Sequence, residues 1–238
     1  MSLLKVGLFL SLRTIAFGLS FLLAALIFYI SGSDHFFIDA SPWWPVYGLF
    51  ANFLCFIFIK NELRKNKVEI WSLINYQKLK IKKDILLVFA FILASVIIAV
   101  GTAFLIGYLM YGRYPYEKIP DFSDIPSLII IIFLVVFPIV NSVLEEINYN
   151  GFLFPRLEKK VKNKHLTILI LLFFFTLHHV FITFVPDLKY VVWRLLSFIP
   201  LLLFWIIIYS RMRRLTTLVI VHWFMDTFAI LSIILSPA

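Results

Sequence analysis

The stretch SLIIIIFLVVFPIVNSVLEEINYNG, residues 127–151, joins a long apolar run to two adjacent carboxylates, Glu145 and Glu146. A helix that crosses the hydrocarbon core of a membrane needs about 20 apolar residues, and this run supplies most of them. A charged side chain at the centre of such a helix costs about 2.5 to 3.5 kcal/mol on insertion scales. The acidic pair therefore predicts a functional site inside a membrane-spanning helix.

The whole chain has the composition of a polytopic membrane protein. Of its 238 residues, 62% are hydrophobic and 15% are charged, and the mean hydropathy is +0.99. Soluble domains contain about 45 to 50% apolar residues. The net charge of +9 comes from Lys and Arg in short loops, with no basic stripe interleaved with aromatics, so nucleic-acid binding is not expected. The single cysteine, Cys55, excludes a disulfide or a multi-cysteine metal site within the chain.

Seven apolar runs predict an all-α bundle of about seven membrane-spanning helices, with eight as the alternative count. We expect a single integral membrane domain, residues 1–238, because the chain contains no internal repeat and no low-complexity tail. The runs lie near residues 6–30, 43–59, 85–112, 127–149, 166–185, 190–209 and 215–236.

The first apolar run contains a charged residue, Arg13. The run is longer than the core of a signal peptide, which has about 7 to 15 apolar residues, so a retained helix is predicted. We expect the Arg13 guanidinium to reach the cytoplasmic surface along its flexible stem. The alternative is that Arg13 pairs with a buried acid.

Lys and Arg are concentrated in alternate loops, which sets the predicted orientation. Residues 60–84, 156–164 and 211–214 are basic, whereas the intervening loops carry few Lys or Arg. Basic loops mark the cytoplasmic side, so the amino terminus is predicted inside and the carboxyl terminus outside. Residues 61–83 are predicted to form an amphipathic segment on the cytoplasmic surface. A composition rich in Phe, Ile, Lys and Asn favours a multi-pass protein of a bacterial cytoplasmic membrane.

Three of the predicted spans carry polar side chains that an inert helix would not need. At 1.5 Å per residue, all of them lie roughly 12 to 20 Å from the basic cytoplasmic loops, so they share a depth. Side chains four residues apart project from one face of a helix, whereas adjacent ones diverge by about 100°. The candidate site residues are Glu145 and Glu146, His178 and His179, and His222 with Asp226.

These residue types fit the hydrolysis of an amide by an activated water molecule. A carboxylate shielded from bulk water can act as a general base, and an imidazole can hold the same water. A second imidazole can donate a hydrogen bond to a developing oxyanion. The chain has no GxSxG motif and no serine or cysteine with an ordered base, which disfavours covalent catalysis. Two His and one Glu could bind Zn²⁺, but no motif such as HExxH singles out a metal site.

The three polar segments resemble a known family of intramembrane endopeptidases. The CAAX-protease and bacteriocin-processing family, which includes the type II CAAX endopeptidases and the Abi proteins, carries EExxxR, FxxxH and HxxxN/D on separate helices. Here EEINYN at 145–150, FTLHH at 175–179 and HWFMD at 222–226 correspond to these motifs. FxxxH fits either adjacent histidine, and His179 is preferred. The resemblance covers 127–236, which it implies are the catalytic core helices.

The resemblance implies a glutamate-dependent protease that uses neither a metal nor another cofactor. Glu145 would be the base that activates water, and His179 would position that water. His222 with Asp226 would stabilise the oxyanion, and Glu146 would be the companion acid. The implied substrate is a peptide or a membrane protein that reaches the site among the membrane lipids.

One position departs from the family pattern, because Asn150 stands where EExxxR has arginine. A neutral amide cannot form a bidentate pair with a carboxylate. Arg156 would substitute only if the helix ended near Pro155. Two alternatives therefore stay open: a catalytically weakened relative that acts as a bacteriocin immunity or membrane-binding protein, and a proton-coupled transporter that uses the acids and histidines as a relay.

Overall fold

The computed structural model describes residues 1–74, 81–115, 119 and 121–235, with only the backbone for 81–83. Helices and connecting turns make up these ranges, and no strand occurs in them, which confirms the all-α prediction. The α-helices are α1 (Leu3–Ile30), α2 (Phe36–Ala40), α3 (Trp44–Arg64), α4 (Ile81–Tyr111), α5 (Ser127–Glu146), α6 (Phe154–Val161), α7 (Lys164–Leu177), α8 (Leu188–Met212) and α9 (Leu215–Ile234).

Seven spans within the described residues are long and apolar enough to cross a membrane, as predicted. The second span is longer than its apolar run suggested. It consists of α2, a 3₁₀ turn at Ser41–Trp43 and α3, and so runs over Phe36–Arg64. Pro42 and Pro45 lie in the first turns of the 3₁₀ segment and of α3. Proline is tolerated there because the first N–H groups of a helix have no partner within that helix.

The segment predicted as amphipathic, 61–83, is described only in part. The helix α3 ends at Arg64, the chain turns at Lys67, which has φ 55°, and a 3₁₀ turn follows at Ile70–Leu73. Residues 75–80 lie outside the described residues. The placement of this segment on the cytoplasmic side, like the orientation of the amino terminus, stays a prediction.

A layer of buried polar side chains separates two apolar clusters. Along α1, Leu10 belongs to one cluster and Phe17 to the other, and the buried Arg13 lies between them. Along α5, Phe137 belongs to the second cluster, and Asn141 follows it on the way to Glu145. The helices therefore bring their polar residues to one level between two hydrophobic layers.

The backbone widens directly after the acidic pair. Residues Ile147–Leu153 form a π-helical segment, all of it buried, between α5 and α6. Segments of this kind are rare and are frequently found at functional sites. A Cβ at Gly151 would lie 3.1 Å from Leu215 and 3.5 Å from Leu73, so a glycine lets the segment pack closely against its neighbours.

Candidate active site

Glu145 is paired with an arginine from the first helix. Its Oε2 lies 2.5 Å from Nη2 of Arg13, and both side chains are buried, with exposures of 1% and 0%. The expectation that Arg13 reaches the membrane surface is therefore wrong, and the alternative of a buried acid partner is correct. A buried charge is stable only with a partner. Here α1 supplies the cation and α5 supplies the carboxylate that pairs with it.

The Arg13 guanidinium has two further partners, on two helices. Its Nη1 donates to Oδ1 of Asn52 on α3, and its Nη2 also donates to Oδ1 of Asn141 at 2.8 Å. The Asn52 amide in turn donates to the same Asn141 oxygen at 2.9 Å. One cation thus joins α1, α3 and α5 around the Glu145 carboxylate.

The other oxygen of Glu145 faces a histidine. Oε1 lies 3.3 Å from Nε2 of His178, which begins a 3₁₀ turn after α7. The Nδ1 of His178 lies 3.1 Å from the Tyr149 hydroxyl, which donates to the carbonyl of Phe174. If the single proton of that hydroxyl goes to the Phe174 carbonyl, Nδ1 of His178 donates to the hydroxyl and Nε2 of a neutral ring keeps a lone pair. Neither Glu145 Oε1 nor His178 Nε2 has a hydrogen-bond partner in the described part of the chain.

His179 lies beside this pair and faces a different backbone group. Its Nδ1 is 2.9 Å from the carbonyl oxygen of Phe175, so that nitrogen carries the proton. Its ring centroid lies 4.1 Å from that of His178 and 4.3 Å from that of Phe198. The sequence favoured His179 as the histidine that positions water, whereas the structure places His178 next to Glu145.

Glu146 has a separate set of partners, as expected for adjacent helical side chains that diverge. Its Oε1 is 3.0 Å from Nδ1 of His222, and its Oε2 accepts a 2.6 Å hydrogen bond from the amide of Asn150. The Nε2 of His222 lies 3.5 Å from Oδ1 of Asp226, one turn further along α9. Glu146 therefore holds the His222 ring at Nδ1, and the Asp226 carboxylate faces Nε2 at a longer distance.

Asn141 joins the two halves of the site. Its oxygen accepts from Arg13 and its amide donates to Oδ2 of Asp226 at 2.9 Å. Five of the six residues predicted from the sequence therefore lie in one connected polar network, and the sixth, His179, touches it through the ring of His178. The catalytic roles of all six stay predictions. The sequence analysis missed Asn52, Asn141 and Tyr149, whose only signal was a polar group in an apolar helix.

Comparisons with known proteins identify a family for part of the chain. Residues 126–228 match the family of Rce1-like type II CAAX prenyl endopeptidases. This match supports an intramembrane protease at the family level and is consistent with the resemblance drawn from the three motifs. No curated protein and no solved structure matches the chain. The Rce1-like segment runs from the start of α5 into α9, so Arg13 and Asn52 lie outside it.

The Rce1-like segment also contains a group of potential metal ligands. Glu145, His178 and His179 each offer one ligand atom, and these atoms lie within 4.8 Å of one another. Two imidazoles and a carboxylate are suitable zinc ligands by type. The Arg13 guanidinium already occupies one Glu145 oxygen, however, and its positive charge opposes the binding of a cation at the same carboxylate.

Proposed function

We propose that the chain is an intramembrane endopeptidase in which Glu145 activates water for attack on a peptide bond. The observation that carries this proposal is the pair of buried acceptors, Glu145 Oε1 and His178 Nε2, which lie 3.3 Å apart without another partner in the described residues. A water molecule that donates one hydrogen to each acceptor would satisfy both atoms. The same water would have its oxygen lone pair directed at a substrate carbonyl.

These contacts support the following reaction. The Glu145 carboxylate takes a proton from the water as its oxygen adds to the carbonyl carbon, which becomes a tetrahedral oxyanion. The same carboxyl group then gives the proton to the leaving nitrogen, the C–N bond breaks, and a carboxylic acid and an amine are released. Arg13 keeps the other Glu145 oxygen in place throughout, so the carboxylate does not rotate away from the water.

His222 is the proposed donor to the oxyanion. Its Nε2 lies 3.5 Å from Asp226, a longer separation than in a usual N–H···O bond. A substrate oxygen that enters between the two side chains would accept from this N–H, while Glu146 holds the opposite nitrogen of the ring. Asp226, itself bonded to Asn141, then serves to orient His222.

The proposed catalysis needs no metal ion or other cofactor, because the groups that activate water and stabilise charge are all side chains. The substrate class is a peptide or membrane protein that enters from the surrounding lipids, in a cell membrane that composition suggests is bacterial.

The test uses the purified protein in lipid vesicles with a library of quenched fluorogenic peptides. Glu145→Gln keeps the shape of the side chain and removes the base, so cleavage should fall by about 10²- to 10⁴-fold. Glu158→Gln is the matched control, because Glu158 pairs with Arg213 outside the polar network. Cleavage by the Glu145→Gln variant at the wild-type rate would disprove the proposal.

The weakened-relative alternative has one residue in its favour, Asn150, which has no positive charge. In the structure that residue bonds Glu146, and Arg13 supplies the positive charge at Glu145. A wild-type protein that binds peptides from the library but cleaves none would favour this alternative. Proton flux into the same vesicles would favour the transporter.

A further inference from the structure

The side chain at position 150 faces Glu146 and not Glu145. The Asn150 amide lies 2.6 Å from Oε2 of Glu146, four residues earlier and across the start of the π-helical segment. An arginine at this position, as in the EExxxR pattern, would follow the same direction and reach Glu146 first. Position 150 therefore cannot supply a guanidinium to Glu145 without a rearrangement of the segment.

The guanidinium at Glu145 comes from α1, 132 positions away in the sequence. It lies outside residues 126–228, so the Rce1-like segment does not contain it. Three side-chain oxygens, of Asn52, Asn141 and Glu145, accept from its two terminal nitrogens. The ring of Phe17, one turn along α1, lies 5.3 Å from its central carbon.

We propose that Arg13 is a positioning residue of the active site, which holds Glu145 so that Oε1 faces His178, and that an arginine at position 150 cannot replace it. This inference rests on the proposed endopeptidase function. Of the two Glu145 oxygens, Arg13 binds only Oε2, and it therefore fixes the orientation of the carboxylate while the buried Oε1 keeps no hydrogen-bond partner among the described residues.

The flat guanidinium is essential to this role. Nη2 bonds both Asn141 and Glu145, which lie one turn apart on α5, while Nη1 bonds Asn52 on α3. A lysine would bring the same charge but a single nitrogen on a flexible stem, which cannot reproduce this planar arrangement. Lysine at position 13 should therefore keep Glu145 neutralised but hold it less firmly.

The experiment measures kcat and KM for the best peptide of the vesicle assay. In Arg13→Lys, kcat should fall by about 10- to 100-fold, because small displacements of a reacting group cost about that much. KM should stay within about twofold, since Arg13 makes no contact with a substrate held on the other side of Glu145. Arg213→Lys is the matched control, because this arginine pairs with Glu158 and lies outside the network.

A second variant keeps Arg13 and removes one of the side chains that hold its guanidinium in place. Asn52→Ala removes one acceptor of the guanidinium without any change in charge, and kcat should fall by about five- to tenfold with KM retained. Thermal unfolding and the binding of an uncleavable peptide show whether each variant is folded. Wild-type kcat in both Arg13→Lys and Asn52→Ala would overturn the inference.

A third test moves the arginine from position 13 to position 150. Arg13→Met should be inactive, and the double variant Arg13→Met/Asn150→Arg should stay inactive, because the new arginine reaches Glu146. Recovery of cleavage to within tenfold of wild type in the double variant would show that position 150 can serve, and would also overturn the inference.

Failure of this inference is distinguishable from failure of the proposed function. If the wild type does not cleave, or Glu145→Gln cleaves normally, the proposed function fails and the role of Arg13 fails with it. If Glu145→Gln is inactive while both Arg13→Lys and Asn52→Ala match the wild type, only the role of Arg13 is lost.

Discussion

The guanidinium of Arg13 and the carboxylate of Glu145 lie 2.5 Å apart in the centre of the bundle, although 132 positions separate them in the sequence. Neither charge has access to solvent. Each residue therefore depends on the other for stability, and this dependence is measurable apart from any activity.

Replacement of one charged partner should lower the stability of the fold, and replacement of both should recover much of that stability. Arg13→Met leaves Glu145 buried without its cation, which should lower the free energy of unfolding by about 3 to 5 kcal/mol. In Arg13→Met/Glu145→Gln no charge is left unpaired, so part of the lost stability should be recovered. Thermal and denaturant unfolding in detergent measure both. A double variant with the summed loss of its two single variants would contradict the pairing.

His178 should matter more for cleavage than its neighbour. His178→Gln removes the nitrogen opposite Glu145 and should lower kcat/KM by about 10²- to 10⁴-fold. His179→Gln keeps a side chain that can donate to the Phe175 carbonyl, and the loss should be about tenfold or less. The vesicle cleavage assay compares the two directly. A larger loss in His179→Gln would instead support the assignment drawn from the sequence.

Gly151 should tolerate no large side chain. A Cβ there would approach Leu215 to 3.1 Å, so Gly151→Val should cost about 1 to 3 kcal/mol and displace the segment that carries Asn150. Gly101→Val is the matched control, because a Cβ on that residue of α4 meets nothing within 4 Å. Unfolding and cleavage are measured for both variants. Equal effects in the two variants would show that close packing at Gly151 is unimportant.

Removal of metal ions should leave cleavage within about twofold of the untreated protein, because Arg13 already neutralises Glu145. The measurement is the vesicle assay after extensive treatment with a chelator, followed by metal analysis of the purified protein. Loss of cleavage that returns on addition of Zn²⁺ would instead assign Glu145, His178 and His179 as a metal site.

Composition and spacing predicted the spans and the polar residues that they carry, because both depend on the local sequence. The partner of Arg13 was not predictable in this way. It depends on how α1 and α5 rotate against each other, and many weak contacts along the whole length of both helices set that rotation. The same is true of Asn52, which is one polar residue in an apolar run until α1 and α5 are placed beside it.

The choice between His178 and His179 could not be made from the sequence, for a local reason. The two motif alignments differ by one residue, and a regular helix was assumed through both. Because α7 ends at Leu177 and the chain continues as a 3₁₀ turn, the direction of each side chain changes at that point. The π-helical segment changes the direction of Asn150 in a similar way.

The position of Arg13 on the first helix has a consequence for biosynthesis. A ribosome that adds about 5 to 20 residues per second needs roughly 7 to 26 s to pass from Arg13 to Glu145. During that interval α1 carries a guanidinium whose acidic partner does not yet exist, and full burial in lipid would be unfavourable. We therefore expect the first helix to stay at the translocon or near the lipid headgroups until α5 enters the membrane.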